Sequence, residues 1–381
     1  MKKILFIIPS LATGGTNSSL DSFYTQFKDK YHISVFSIAH QPRNHNYSFD
    51  EALIKQDVIL SLFCANFSAQ KGVYKVFAFF FKVLQSLLRK VNINLATVYG
   101  KLVVRKIESA QKYDFVVGFQ EGFATIFASM FQKPDKVAWI HCNYNYYLPF
   151  GKSEEKMYDK FIKIVCVSKY TASLFANRYP ALSFKTIFIH NLIDSHRIKE
   201  LAQTSITDTV FSPDSINLIS VGRFSTVKRF REIPFIAKTL KNRGLKFAWY
   251  ILGPADASDE IVLFTDNMEK YSVQDCVKWL GGKSNPYPYF NKVDIYVCLS
   301  ESEACPMVFK EAKIFGLPIV TTDFPSAYEF VNEDDGIISS LENISDAINS
   351  IINKIEKGYT KKMAIDDNSE IITNFNSIFL N

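Results

Sequence analysis

The sequence predicts an α/β protein of two domains, each built on a doubly wound parallel sheet. Its 381 residues exceed what one ordinary hydrophobic core organises. Short, nearly all-apolar runs alternate with segments of helical period, the pattern of strands buried on both faces. That alternation lapses in a Thr- and Ser-rich stretch and then restarts. The expected division is a first domain over 1–198, a linker over 199–214, a second domain over 215–362, and a segment 363–381 packing back toward the first.

Composition narrows the class. Apolar residues at 48% and charged residues at 22% describe a soluble globular chain. Six cysteines, among them Cys142, Cys166 and Cys298 inside apolar runs, show neither metal-ligand spacing nor a disulfide framework, so reduced core thiols in the cytoplasm are expected. Lys2 and Lys3 followed by Ile4–Ile8 start like a signal peptide, but Pro9 ends the run too soon. No run is long and uncharged enough to span a bilayer.

In chain order, Lys3–Pro9 reads as a first strand, followed by a turn holding Gly14 and Gly15 and a helix from about Asn17 or Ser18. Glycines there let backbone N–H groups approach a ligand, although a tight turn alone needs glycine too. The turn is not a complete G-x-G-x-x-G, so no dinucleotide site is assigned. His32–Ile38 is a second strand, and residues 41–60 read as irregular.

Region 70–106 is basic and amphipathic, with no acid between Asp57 and Glu108. On a helical wheel Lys71, Lys75, Lys82 and Arg89 form one stripe, opposite Phe77, Phe80, Phe81, Leu84, Leu87 and Leu88. That pattern fits a helix on an anionic membrane surface, peripheral to the inner face of the plasma membrane. It equally fits a helix packing its phenylalanines on a sheet with its lysines in water. No nucleic-acid module accompanies the charge, so nucleic acid is not expected as a partner.

Tyr113–Phe119 and Lys136–Cys142 are further strands. His141 ends the second, placed either to bond a substrate near neutral pH or to serve the fold. Ile164–Lys169 and Lys185–Asn191 complete the first domain. Ile216–Val221 opens the second, followed by Gly222, Arg223 and Lys228; a helix over Glu232–Leu240 and the strand Phe247–Leu252 come next. Two cations at a strand's carboxyl end suit a diphosphate leaving group, and also a solvated basic loop.

Val293–Leu299 is a strand that runs into an acidic turn with Glu303. A helix starts near Pro306 and carries Glu311, Gly316 closes it, and Pro318–Thr322 is the next strand. Free N–H groups of about Met307 to Phe309 beside two carboxylates suit a ligand with many hydroxyls and a phosphate. From spacing alone the same residues also describe a capped surface helix with solvated acids. Beyond Asp334 only helix-like segments are expected.

Glu303-x7-Glu311, preceded by Ser300 and followed by Ala312, Gly316 and Pro318, resembles the signature of the retaining GT-B glycosyltransferases of family 4, departing from it at Ala304 and Cys305. Asn191–Asp194 resembles that family's N-x-[IV]-D element, and Gly222, Arg223 and Lys228 its G-R…K element. The resemblance implies two Rossmann-like domains facing an inter-domain cleft, and transfer of a hexose from a nucleotide-diphosphate sugar, UDP-linked by preference, to a hydroxyl of a saccharide or lipid-linked acceptor in bacterial surface polysaccharide synthesis. It implies that Arg223 and Lys228 hold the diphosphate with help from Gly14 and Gly15, and that Glu311 binds ribose. Glu303 with Cys305, Pro306, Met307 and Val308 holds the sugar, Lys283 lies near the base, His141 approaches the sugar, and Glu121 and Asn143 lie toward the acceptor. Neither metal nor cofactor is implied. The alternatives are a nucleotide-sugar epimerase on the same scaffold and a silent membrane-docked partner of a transferase.

Overall fold

A computed structural model describes residues 1–12, 14–39, 47–64, 73–89, 94–144, 154–254, 259–358 and 368–380. They form two units, Met1–Leu192 together with Asn368–Asn381, and Ile193–Asp367.

The first unit is built on seven strands: β1 Lys3–Ile8, β2 His32–Ser37, β3 Ile54–Gln56, β4 Phe115–Gly118, β5 Asp135–Ile140, β6 Lys163–Cys166 and β7 Thr186–Phe188. They lie in the order β3-β2-β1-β4-β5-β6-β7, and every pairing is parallel. Strand order reverses between β1 and β4, which opens a crevice at the carboxyl edge there. Ile4 to Ile8 are fully buried, as a central parallel strand covered on both faces requires.

One face packs Phe36, Phe127, Val116 and Ile140 against helices. The other takes the helix Ser369–Phe379, whose Phe375 ring stacks on Phe27 and Phe23 at centroid distances of 4.2 and 4.8 Å. Tyr31 donates its hydroxyl hydrogen to Asn376 Oδ1 at 2.9 Å on the same face.

The second unit has six strands: β8 Ile216–Val221, β9 Phe247–Leu252, β10 Val277–Trp279, β11 Ile295–Cys298, β12 Ile319–Thr322 and β13 Gly336–Ser339. Their order is β10-β9-β8-β11-β12-β13, again all parallel. The reversal falls between β8 and β11. Separate apolar clusters cover the two faces, one around Tyr296, Phe309 and Phe290, the other around Trp249, Val297 and Ile348.

Several expectations are corrected. The break between units falls after Leu192, before the expected 198, because the Asp194 carboxylate accepts the Arg197 N–H at 3.0 Å and starts a helix, Ser195–Leu201. That helix packs Ile198 into the second unit, so the stretch 199–214 is not wholly linker. The first helix begins at Gly15 rather than at Asn17 or Ser18, since the Asn17 amide donates to the Ser10 and Ala12 carbonyls at 2.8 and 2.7 Å and knits turn to helix. Strands β3 and β13 lie where no strand was expected, both short and only half-buried.

In the basic region, Lys71 and the side chains of Lys75, Phe77, Leu87 and Arg89 lie outside what is described. Lys82 is exposed. Phe80 is exposed as well, whereas Phe81 packs on Phe63 with centroids 4.7 Å apart, so the two do not share one buried face.

Candidate active site

The reversal between β8 and β11 brings two loops together in the second unit. The first follows β8 and contains Gly222, Arg223 and Lys228. Gly222 donates its N–H to the Leu252 carbonyl at 2.9 Å, and Gly253 donates its own to Gly281 O at 3.0 Å, so the two strand ends are laced side by side. Room is short there. A Cβ on Gly253 would stand 2.0 Å from Gly222 O, and one on Gly222 would stand 3.1 Å from Lys228 Cε. Glycine at 253 is required by the Gly222 carbonyl, and glycine at 222 leaves room for the Lys228 stem.

Lys228 is followed by Arg229 in the left-handed region, φ 52°. A non-glycine residue there costs on the order of 1 kcal/mol and persists only where its surroundings hold it. They do so here. The Arg229 guanidinium pairs with Glu301 at 3.3 Å, and the Glu301 N–H donates to Val227 O at 2.8 Å.

The second loop follows β11 and presents Glu303. Its carboxylate accepts from Ser300 Oγ at 2.7 Å and forms an ion pair with Lys228 Nζ through the same oxygen, Oε1. The backbone around it is fixed by Ser326, which donates to the Glu303 carbonyl at 2.6 Å, and by Thr322, which donates to the Ser300 carbonyl at 2.5 Å. The side chains keep 24% and 17% of their exposure, so the pair is half-sunk but open on one side. Burial pulls the Lys228 pKa down, and the adjacent Glu303 carboxylate more than offsets it; the net shift is upward and the ammonium stays charged. Arg223 is exposed and near enough to repel that charge.

The helix Met307–Ile314 leaves this loop with Pro306 as its cap residue. Phe309 donates to the Pro306 carbonyl at 3.0 Å, which removes it from the expected free donors and leaves Met307 and Val308 at the helix start. Cys305 is half-buried. Glu311 is buried on the same helix and accepts the Tyr287 hydroxyl hydrogen at 3.3 Å. Burial pushes its pKa up to about 7.

Lys283 is committed elsewhere: it pairs with Asp208, whose other carboxylate oxygen accepts from Tyr289 at 2.6 Å. Those two bonds, the Lys283 contact first, hold the Asp208 carboxyl below its ordinary range.

In the first unit five candidates, Gly14, Gly15, Glu121, His141 and Asn143, follow the carboxyl ends of β1, β4 and β5. Gly14 caps the first helix in an extended conformation, and nothing lies within 4 Å of where its Cβ would be. Gly15 follows as the first helical residue, exposed. After β4, Glu121 Oε2 accepts the His141 backbone N–H at 2.8 Å. Burial raises the Glu121 pKa, against the lowering effect of that bond. One of its oxygens therefore positions the strand end rather than facing outward. The His141 ring meets Phe119 edge-on at 4.8 Å, and its buried Nε2 has no hydrogen-bond partner among the described residues. Burial lowers its pKa to about 3, so the imidazole is neutral near pH 7. Asn143 is buried.

Sequence reasoning missed Tyr287, Ser326 and the Arg229–Glu301 pair. Their partners are distant in sequence or belong to loops without periodicity, and no local signal marks them. Among the described residues no group of three or more His, Cys, Asp or Glu side chains is placed to hold a metal ion.

Residues 203–370 match the family model described as Glycosyl transferases group 1. The chain is similar to the amylovoran biosynthesis glycosyltransferase AmsD of Erwinia amylovora, 23% identical over 164 residues; the match spans 43% of this chain and 44% of that protein, less than half the length of the relative. Among solved structures it is similar to a sucrose-phosphate synthase from Thermosynechococcus elongatus, with a TM-score of 0.71 and 12% identity over 100% of this chain and 98% of that one. It is also similar to HepE of Anabaena in complex with UDP and glucose, with a TM-score of 0.63 and 15% identity over 93% and 90% of the two chains. At such identities the likeness establishes the fold.

Proposed function

We propose that this chain, whose residues 203–370 match the glycosyl transferases group 1 family model, moves a hexose from a nucleotide-diphosphate sugar to a hydroxyl of a saccharide or lipid-linked acceptor in polysaccharide biosynthesis, with retention at the anomeric carbon. The observation that carries the reading is the Lys228–Glu303 ion pair at the β8–β11 reversal, the edge where open α/β sheets take their ligands. A UDP-linked donor is favoured by analogy with the Anabaena structure, whose ligands are UDP and glucose.

Lys228 and Arg223 supply the positive charge on which a departing diphosphate depends. Glu303 accepts hydrogen bonds from sugar hydroxyls, and Met307 and Val308 offer backbone N–H groups to the same ligand. Glu311 receives the ribose hydroxyls. In the transfer, the bond between the anomeric carbon and the phosphate oxygen breaks and its electron pair goes to the diphosphate. A bond from the acceptor oxygen forms on the same face, and the acceptor proton passes to the leaving phosphate oxygen. No enzyme nucleophile enters the balance.

The test is thermal shift with UDP, GDP, ADP and CMP, for the native chain and Lys228→Ala, followed by NMR of the product linkage. Stabilisation by one diphosphate that the variant loses, and a product keeping the donor's anomeric configuration, are expected. No shift with any nucleotide would sink the reading.

A further inference from the structure

Arg229 holds a left-handed backbone conformation, φ 52°, between two single-turn helices, Thr226–Lys228 and Phe230–Glu232. A glycine would make that reversal without strain. An arginine holds it only against a steric cost, and such outliers cluster at functional sites. Anchoring into the core falls to the next residue: Phe230 is buried, edge-on to Phe224 with ring centroids 5.1 Å apart. The Arg229 guanidinium instead crosses to the neighbouring loop and pairs with Glu301, Nη2 to Oε2 at 3.3 Å.

Glu301 holds that loop twice. Its backbone N–H donates to the Val227 carbonyl at 2.8 Å, while its carboxylate takes Arg229. Between those two points of attachment stands Lys228, and two residues beyond Glu301 stands Glu303, the partner of Lys228. Two links at one glutamate thus bracket the cation and fix its distance from the loop that carries its carboxylate. The bracket matters most with ligand present. A diphosphate that takes the Lys228 ammonium, and hydroxyls that take the Glu303 carboxylate, part the direct pair between the loops. The links at Glu301 involve neither group and persist.

The side chains of the Arg229–Glu301 pair keep 26% and 41% of their exposure. An ion pair that open to water adds little to folding. Misplacing a reacting group by about 1 Å, by contrast, can slow a reaction about a hundredfold. The pair therefore bears on the geometry of the site more than on stability.

Resting on the transferase reading of this site, we infer that Arg229 and Glu301 are positioning residues. Together they keep the Lys228 loop in register with the Glu303 loop while a nucleotide-sugar donor occupies both. They act through Lys228 and Glu303 rather than on the substrate.

The experiment measures nucleoside diphosphate released from UDP-glucose, GDP-mannose or ADP-glucose, using whichever the native chain turns over, beside melting temperature and nucleotide shift. Arg229→Gly removes the side chain and frees the backbone. It should keep or raise the melting temperature and keep the nucleotide shift, yet lower kcat about tenfold or more with KM for the donor nearly unchanged. Glu301→Ala should slow the reaction alike, and the double variant should be no slower than either single one, the mark of a shared interaction. Arg229→Lys should recover most of the rate, since the contact is made through one nitrogen. Native kcat in Arg229→Gly overturns the inference and leaves the donor reading intact. So does a lowered melting temperature with unchanged kcat, which would assign the pair to folding alone. A native chain that turns over none of the three donors and shifts with no nucleotide fails the transferase reading itself, and the inference falls with it.

Discussion

Lys228 and Glu303 stand 75 residues apart in sequence and share an ion pair across the one strand reversal of the second sheet. Without ligand, each neutralises the charge the other would offer. A bound donor must separate the roles, with the ammonium going to phosphate and the carboxylate to hydroxyls. Glu303→Gln should therefore leave UDP binding unchanged or tighter, because Lys228 loses its internal partner, while transfer falls by about two orders of magnitude or more. Lys228→Ala should abolish the UDP shift and destabilise the second unit by about 1–3 kcal/mol, since it strands a half-buried carboxylate. Calorimetric titration with UDP separates the two; equal loss of UDP binding in both variants would contradict the division of roles.

Glu311 makes the second unit sensitive to pH. In the fold it keeps its proton to about pH 7, whereas an unfolded glutamate loses it near about 4.3. Between those values the folded state binds the extra proton, so stability falls as pH rises through the window. Glu311→Gln should flatten that slope in melts run from about pH 5 to 8. Affinity for UDP should move the opposite way and rise as Glu311 ionises and becomes a full acceptor for ribose hydroxyls.

His141 acts with the other sign. Its folded pKa of about 3 lies below the unfolded value of about 6.5. The unfolded chain thus binds more protons in this interval, and stability is lost as pH falls from about 6.5 toward 3. His141→Gln should remove part of this acid sensitivity, measured by denaturant midpoint at about pH 4.5. An unchanged midpoint difference between wild type and variant across pH would show that the ring is more solvated than its burial implies.

Two glycines should respond differently to the same methyl group. Gly253→Ala drives a Cβ into the Gly222 carbonyl at 2.0 Å, contact with backbone rather than with a yielding side chain. It should cost several kcal/mol, on the order of the worst overpacking, and displace the Lys228 loop. Gly14→Ala meets nothing and needs no special φ, so the melting temperature should hold. If turnover nonetheless drops, the space above Gly14 is occupied by substrate. A Gly14→Ala chain with full turnover would show that the turn takes no part in the reaction.

Much of this was readable in advance where burial is two-sided. β1 after Lys3 and all of β9 are continuous apolar runs, because a central parallel strand has no solvent face to interrupt them, and Pro9 and Gly253 mark their ends; β8 carries Asn217 and Ser220 but is closed by Gly222 in the same way. Glu303, Glu311 and His141 stood out through a resemblance to a family's motifs, since spacing alone also described a capped surface helix and a strand-end histidine also serves a fold. The rest depended on partners a linear reading does not supply. Lys283 was expected near the base, and only the fold sets Asp208 beside it. The helix Ser195–Leu201 was divided between the first domain and the linker because its polar residues mask its period, although Asp194 was a visible cap. In residues 73–89 apolar residues occur on several faces, so sequence could not say which phenylalanines face inward; Phe63 settles that for Phe81.

The helix Ser369–Phe379 completes a unit whose first strand begins at Lys3, and the Tyr31–Asn376 hydrogen bond spans 345 positions. On the ribosome the order of maturation is therefore inverted. The second unit, drawn from one uninterrupted stretch, has all its parts while the first still lacks a side of its core. Until residues 368–380 emerge, Phe23 and Phe27 lack the ring they stack on, and transiently exposed apolar surface of that kind is prone to aggregation. The helix thus closes a core opened at the first strand, and a chain that stops before it leaves that aromatic face uncovered.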